Sequence, residues 1–187
     1  RLIVKKYPSL SFDDLKHFLA SKWHEERLFA LLVLVRQFEH AKQEVDQKKI
    51  VDFYLSQSAR INNWDLVDTS AYAILGAWLL GRPRTILTAL ARSPSLWERR
   101  IAVVATLAFI RKKESKDIFR LTKLLHKDRE DLIQKALGWM LREVGKYCGE
   151  PVLESFLQEY ASRLPRTTLR YAIERFEERK RKKYLAM

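Results

Sequence analysis

The stretch Leu96-Trp97-Glu98-Arg99-Arg100-Ile101-Ala102-Val103-Val104-Ala105-Thr106-Leu107-Ala108-Phe109-Ile110 follows the turn signal Ser93-Pro94-Ser95 and contains neither Gly nor Pro. It reads as one helix, too short for the ~20 apolar residues of a bilayer span. Its segment Arg99-Arg100-Ile101-Ala102 has counterparts on both sides: Arg27-Leu28-Phe29-Ala30, Asp68-Thr69-Ser70-Ala71, Ile133-Gln134-Lys135-Ala136 and Leu169-Arg170-Tyr171-Ala172. The alanines are spaced by 41, 31, 34 and 36 residues. A small residue returning at intervals of ~30–45 lets one helix lie close against the next hairpin, as stacked two-helix repeats require.

The rest of the chain agrees with a helical array. Apolar residues recur near a period of 3.6, and no strand-like alternation bounded by turns occurs. The predicted helices are Ser11 to Ser21, Glu25 to Gln37, Glu44 to Gln57, Asn63 to Leu79, Arg84 to Ala91, Leu96 to Ile110, Lys116 to Leu125, Glu130 to Val144, Val152 to Tyr160 and Thr167 to Tyr184. Ser11 is a predicted N-cap, as is Asn62 or Asn63, and Gly81-Arg82-Pro83, Gly149-Glu150-Pro151 and Leu164-Pro165 punctuate the array. Short links imply antiparallel neighbours. The expected fold is all-α, a curved solenoid of stacked antiparallel helical hairpins of the HEAT-like type, forming one domain over residues 1–187. An irregular helical bundle is the alternative.

The 187 residues include 36 Lys and Arg against 23 Asp and Glu, a net charge of +13. With 47% hydrophobic residues the chain is no disordered basic tail. Its self-repelling surface implies an anionic partner, nucleic acid first, and the spread of basic residues argues against a single membrane-surface helix. A lone cysteine, Cys148, forms no internal disulfide and points to a reducing compartment. There is no signal peptide pattern and no span, so a soluble, cytoplasmic protein without membrane partners is expected. The chain opens at Arg1 rather than Met, which suggests that an N-terminal piece is missing.

Few chemical signatures are left. His17, His24, His40 and His126 have no metal-ligand spacing, and there is neither a phosphate-binding Gly-rich loop nor a Gly-x-Ser-x-Gly elbow. A zinc deaminase would need a cysteine pair. Carboxylate, aromatic and guanidinium groups remain. Trp64 and Asp68, four apart, share a helix face and could stack on a sugar or base while stabilising a cation, or could be a core residue beside a solvated first turn. Arg99 and Arg100 point about 100° apart, so at most one lines the groove of Asp68, where it could capture a phosphate bidentately or make a salt bridge. Gly138 within a helix costs roughly 1 kcal/mol relative to Ala. Its presence implies close approach there, from tight helix packing or from Trp139 projecting into a cleft.

The segments Asn63-Trp64-Asp65-Leu66-Val67-Asp68, Leu96 to Ala102, Gln134 to Glu143 (with Gly138-Trp139-Met140) and Pro165 to Glu174 (with Arg166, Arg170 and Tyr171), in that order, resemble the DNA alkylation repair family of HEAT-like-repeat DNA glycosylases. The resemblance runs from about Trp23 to the C-terminus, with the family's first helical elements partly absent. It implies a monofunctional glycosylase of the 3-methyladenine/7-methylguanine type, hydrolysing the N-glycosidic bond of cationic N3- or N7-alkylated purines in double-stranded DNA. It further implies a bacterial or archaeal, nucleoid-associated monomer that needs no metal or cofactor. Carried over by position, the catalytic acid matches Asp68, the cleft tryptophans Trp64 and Trp139, and the phosphate-contacting arginine Arg100, with Arg99 one residue away. Arg166 and Arg170 are further expected DNA contacts. The rival expectation is a non-catalytic HEAT-like scaffold for nucleic acid or an acidic protein.

Overall fold

In the computed structural model, which describes residues 9–186, the repeat spacing becomes a contact register. The helices are α1 (Phe12–Leu19), α2 (His24–His40), α3 (Glu44–Ser56), α4 (Trp64–Ser70), α5 (Thr85–Ala91), α6 (Leu96–Ala105), α7 (Leu107–Ile110), α8 (Lys116–Leu125), α9 (Asp131–Tyr147), α10 (Glu150–Tyr160), α11 (Arg166–Ala172) and α12 (Glu178–Leu185). Helices α2, α4, α6, α9 and α11 pack one on the next as a first row. Side-chain bonds between them span nearly the alanine intervals: His24 to Asp65 is 41 residues, Asp68 to Arg100 is 32 and Gln134 to Thr168 is 34. The five repeated alanines, Ala30, Ala71, Ala102, Ala136 and Ala172, are all buried, as close helix approach demands. This is the all-helical repeat solenoid that the spacing predicts.

A second row backs the first. Phe12 of α1 stacks on Phe53 of α3 with ring centroids 4.6 Å apart, and Phe119 of α8 stacks on Phe156 of α10 at 4.4 Å. Arg84, just before α5, pairs with Asp117 of α8 at 2.8 Å, and Lys180 of α12 reaches Glu154 of α10 at 3.0 Å. One apolar core, from Leu15 to Tyr184, runs between the rows. No helix among the described residues is long and apolar enough to cross a membrane.

The N-terminal caps follow the sequence. Ser11 and Asp14 form a capping box, the Asn63 carboxamide rather than that of Asn62 accepts from Trp64 N at 2.7 Å, and Ser95 caps α6. Three of the predicted helices are interrupted. The Thr69 and Ser70 hydroxyls donate back to the carbonyls of Asp65 and Leu66 at 2.7 and 2.6 Å, and α4 gives way to a π-helical turn over Tyr72–Gly76. Within that turn Gly76 lies against the Ala105 carbonyl, where a Cβ would collide. The buried Thr106 hydroxyl donates to Val103 O at 2.6 Å and separates α6 from α7. The predicted helix Thr167 to Tyr184 is in fact α11 and α12, parted at residues 173–177. No Gly or Pro marks that break: Ile173 and Phe176 both turn into the core, and Phe176 meets Tyr184 with ring centroids 5.7 Å apart.

Candidate active site

The site is assembled by the first row. Asp68 begins the second turn of α4, and Arg100 lies at the corresponding place on α6. Arg100 donates from Nε to Asp68 Oδ1 at 2.9 Å and from Nη2 to Asp68 Oδ2 at 2.8 Å, a bidentate fork. Its Nη1 donates to the Leu132 carbonyl in the first turn of α9, so one guanidinium ties three consecutive helices of the row. The Asp68 side chain keeps 16% of its surface exposed against 5% for Arg100, so the aspartate is the more exposed partner of the pair.

Burial is the largest influence on Asp68 and raises its pKa, with Asp65 adding in the same direction; the hydrogen bonds and charge of Arg100 oppose them without fully cancelling. Asp65 has its own partner. His24 Nε2 lies 2.7 Å from Asp65 Oδ2, and Asp65 Oδ1 accepts from Leu66 N at 2.9 Å. Trp64 is 54% exposed at the start of α4, one turn before Asp68 on the same face.

Trp139 is half-buried against the core and lies seven residues after Leu132, two turns further along the same face of α9. Its neighbour Gly138 explains how α9 and α11 come so near: a Cβ there would stand 2.5 Å from Tyr171 Cβ and 2.6 Å from Thr168 O. Thr168 Oγ1 also donates to Gln134 Oε1 at 2.6 Å, fixing the register of the two helices. Lys135 on α9 pairs with Asp131 at 2.7 Å.

The adjacent arginines take different routes, as their angular separation predicts. Arg99 turns away from Asp68 and donates from Nε to Asp128 Oδ2 at 2.6 Å, with Nη1 on the Ser93 and Pro94 carbonyls at 3.1 and 2.9 Å. Thus Arg99 pins the α5–α6 turn to the loop before α9, and Arg100 is buried in its pair. Neither stands as a free arm for phosphate, which the sequence expected of one of them. Arg166 and Arg170 are both exposed on α11, one turn apart, with no ion-pair partner among the described residues. Sequence reading passed over His24, the Leu132 carbonyl and Asp128. The first was detectable, since His24 precedes Asp65 by the same 41 residues that separate Ala30 from Ala71. Among the described residues no group of three or more His, Cys, Asp or Glu is placed to hold a metal ion.

A family model for the DNA alkylation repair enzyme matches residues 2–176. Among solved structures the chain is similar to one described as "Predicted DNA alkylation repair enzyme from Enterococcus faecalis", with 18% identity and a TM-score of 0.72 over 95% of this chain and 82% of that one, a likeness of fold. No curated protein matches. With the family model covering nearly the whole sequence, the chain belongs to the DNA alkylation repair enzyme family.

Proposed function

We propose that this protein is a DNA glycosylase that hydrolyses the N-glycosidic bond of cationic N3- or N7-alkylated purines in duplex DNA, with Asp68 as its catalytic carboxylate. The observation that carries the reading is the orientation of the Asp68–Arg100 pair, whose carboxylate is the more exposed partner, one helical turn from the exposed indole of Trp64. Alkylation makes the purine cationic and a good leaving group, so no general acid is needed. As the C1′–N bond breaks, its electron pair neutralises the departing base and positive charge develops on the deoxyribose. Asp68, kept ionised by Arg100 despite its burial, stabilises that charge and orients the water whose oxygen bonds to C1′. The water's proton passes to the carboxylate or to solvent. Each carboxylate oxygen spends one acceptor position on Arg100 and keeps another for this role.

The faces of Trp64 and Trp139 attract the sugar cation by roughly 0.5–2 kcal/mol each. Arg166 and Arg170 hold the phosphate backbone, and the +13 charge draws in the duplex. Arg100 acts as a positioning residue for Asp68.

The test is single-turnover release of 7-methylguanine from duplex DNA. Asp68→Asn leaves an acceptor for Arg100 and removes the charge, so it should fold, bind duplex at least as well as the parent, and excise about 10²–10³ times more slowly. Undiminished excision by the folded variant would overturn the role of Asp68. Duplex binding without excision by the parent would favour the scaffold.

A further inference from the structure

Trp23, which the catalytic reading leaves unused, is the most exposed tryptophan among the described residues, at 59%. A lone exposed indole needs no explanation. This one stands in register with another: Trp23 immediately precedes His24, Trp64 immediately precedes Asp65, and the 2.7 Å His24–Asp65 contact ties the starts of α2 and α4 side by side. The two exposed indoles therefore flank one bridge, on adjacent helices of the row that carries Asp68. The backbone beneath Trp23 is also held. Trp23 N donates to Ser21 Oγ at 3.0 Å, and Arg27 Nη1 donates to the Ser21 carbonyl at 2.8 Å, so the large apolar ring is presented from a fixed turn.

One cation lies against the ring: the Lys22 ammonium is 5.0 Å over Trp23. An aromatic plane with a cation against it fits a nucleic acid strand, in which planar bases alternate with phosphates.

We propose that Trp23 is a further DNA-contacting residue, stacking on a base or sugar near the nucleotide that Trp64 and Asp68 engage. This rests on the glycosylase reading for the position of the reacting nucleotide. Neighbouring helix axes stand ~8–10 Å apart, so the stack falls two to three nucleotides from the lesion at ~3.4 Å per base step. Trp23 sets the register of the duplex across α2 and α4, and Lys22 holds the phosphate beside it.

The test is equilibrium binding of a fluorescently labelled duplex carrying one mismatched pair, whose bases unstack most readily. Trp23→Ala should weaken binding about 5- to 100-fold, the range for loss of one base–aromatic stack. Trp23→Phe should recover most of the loss, and the salt dependence of both variants should equal the parent's because no phosphate contact is removed. Binding by Trp23→Ala within twofold of the parent would overturn the proposal. Since Trp23 begins α2 and its truncation could disturb that helix, tryptophan emission is compared for the parent and Trp23→Phe on adding duplex. The parent should show a DNA-quenched component that the variant lacks, and identical quenching would also overturn the proposal. Unchanged binding alongside normal excision would remove the Trp23 contact alone. Weakened binding by Trp23→Ala, in a protein whose parent binds duplex but never excises, would leave the contact and remove the glycosylase reading.

Discussion

Removing Arg100 tests whether its work is to keep Asp68 ionised. In Arg100→Ala the carboxylate loses both bonds of the fork, at 2.9 and 2.8 Å, together with the adjacent positive charge, while the packing that desolvates it and the repulsion from Asp65 remain. An opposite charge at this range lowers a carboxylate pKa by about 1–3 units. Asp68, already raised by its burial, should rise further, toward neutrality. The assay is single-turnover excision of 7-methylguanine between pH 5 and 9. The acid limb of the rate profile should move to higher pH by about 1–3 units in Arg100→Ala, and activity should return as the buffer is made alkaline. Arg100→Lys, which keeps a charge without the planar fork, should lie between. Stability falls as well: breaking a buried pair costs about 3–5 kcal/mol, and the lower end applies because Asp68 retains some exposure, so each profile is measured below the variant's own melting temperature. An acid limb that stays in place in a folded Arg100→Ala protein would refute the reasoning, because Asp68 would then be ionised without its partner.

Duplex binding should weaken steeply with salt. Arg166→Ala and Arg170→Ala should each reduce the slope of log K against log salt by about 0.9, and Arg99→Ala should leave it unchanged because its donors are spent on Asp128 and two carbonyls; titrations between 50 and about 300 mM salt check all three. Gly138→Ala gains roughly 1 kcal/mol of helix propensity but drives a methyl into Thr168 and Tyr171. A net loss of about 1–3 kcal/mol in urea denaturation is expected, with slower excision if Trp139 is displaced.

Much of the fold was legible because a solenoid writes its contacts into the sequence as a spacing. Ala71 and Ala102 are 31 residues apart, and the side chains that bond across the same pair of helices, Asp68 and Arg100, are 32 apart. The α8 limits, Lys116 to Leu125, fall where the sequence put them because Ser115 precedes a clean amphipathic pattern there. The interruptions were not legible. Ser70 and Thr106 break regular helix through hydroxyls that compete for backbone carbonyls, and Ile173 breaks it, with no Gly or Pro nearby, through an apolar side chain that requires the chain to turn into the core. Such breaks depend on what the neighbouring helix offers, which no window of local sequence contains.

The site divides along the same line. Trp64 and Asp68 lie on one helix, and their four-residue spacing was enough to place them on one face. That Arg100 rather than Arg99 meets Asp68 needed the rotation of α6 about its axis, fixed in the fold by Ser95 at its start and by the buried run Ile101–Ala105. Once that rotation is set, the two arginines have separate structural duties. Arg99 locks a loop to a loop, and Arg100 joins α4, α6 and α9 through Asp68 and the Leu132 carbonyl. The raised pKa of Asp68 means that the folded state binds its proton more tightly than the unfolded chain, so from the ordinary carboxylate value of 3.8 up to its folded value, rising pH erodes the stability this proton binding provides. Above that window the ionised carboxylate is retained at a cost to folding. A residue chosen for stability alone would not carry that cost, whereas one that must present negative charge to a cationic sugar would.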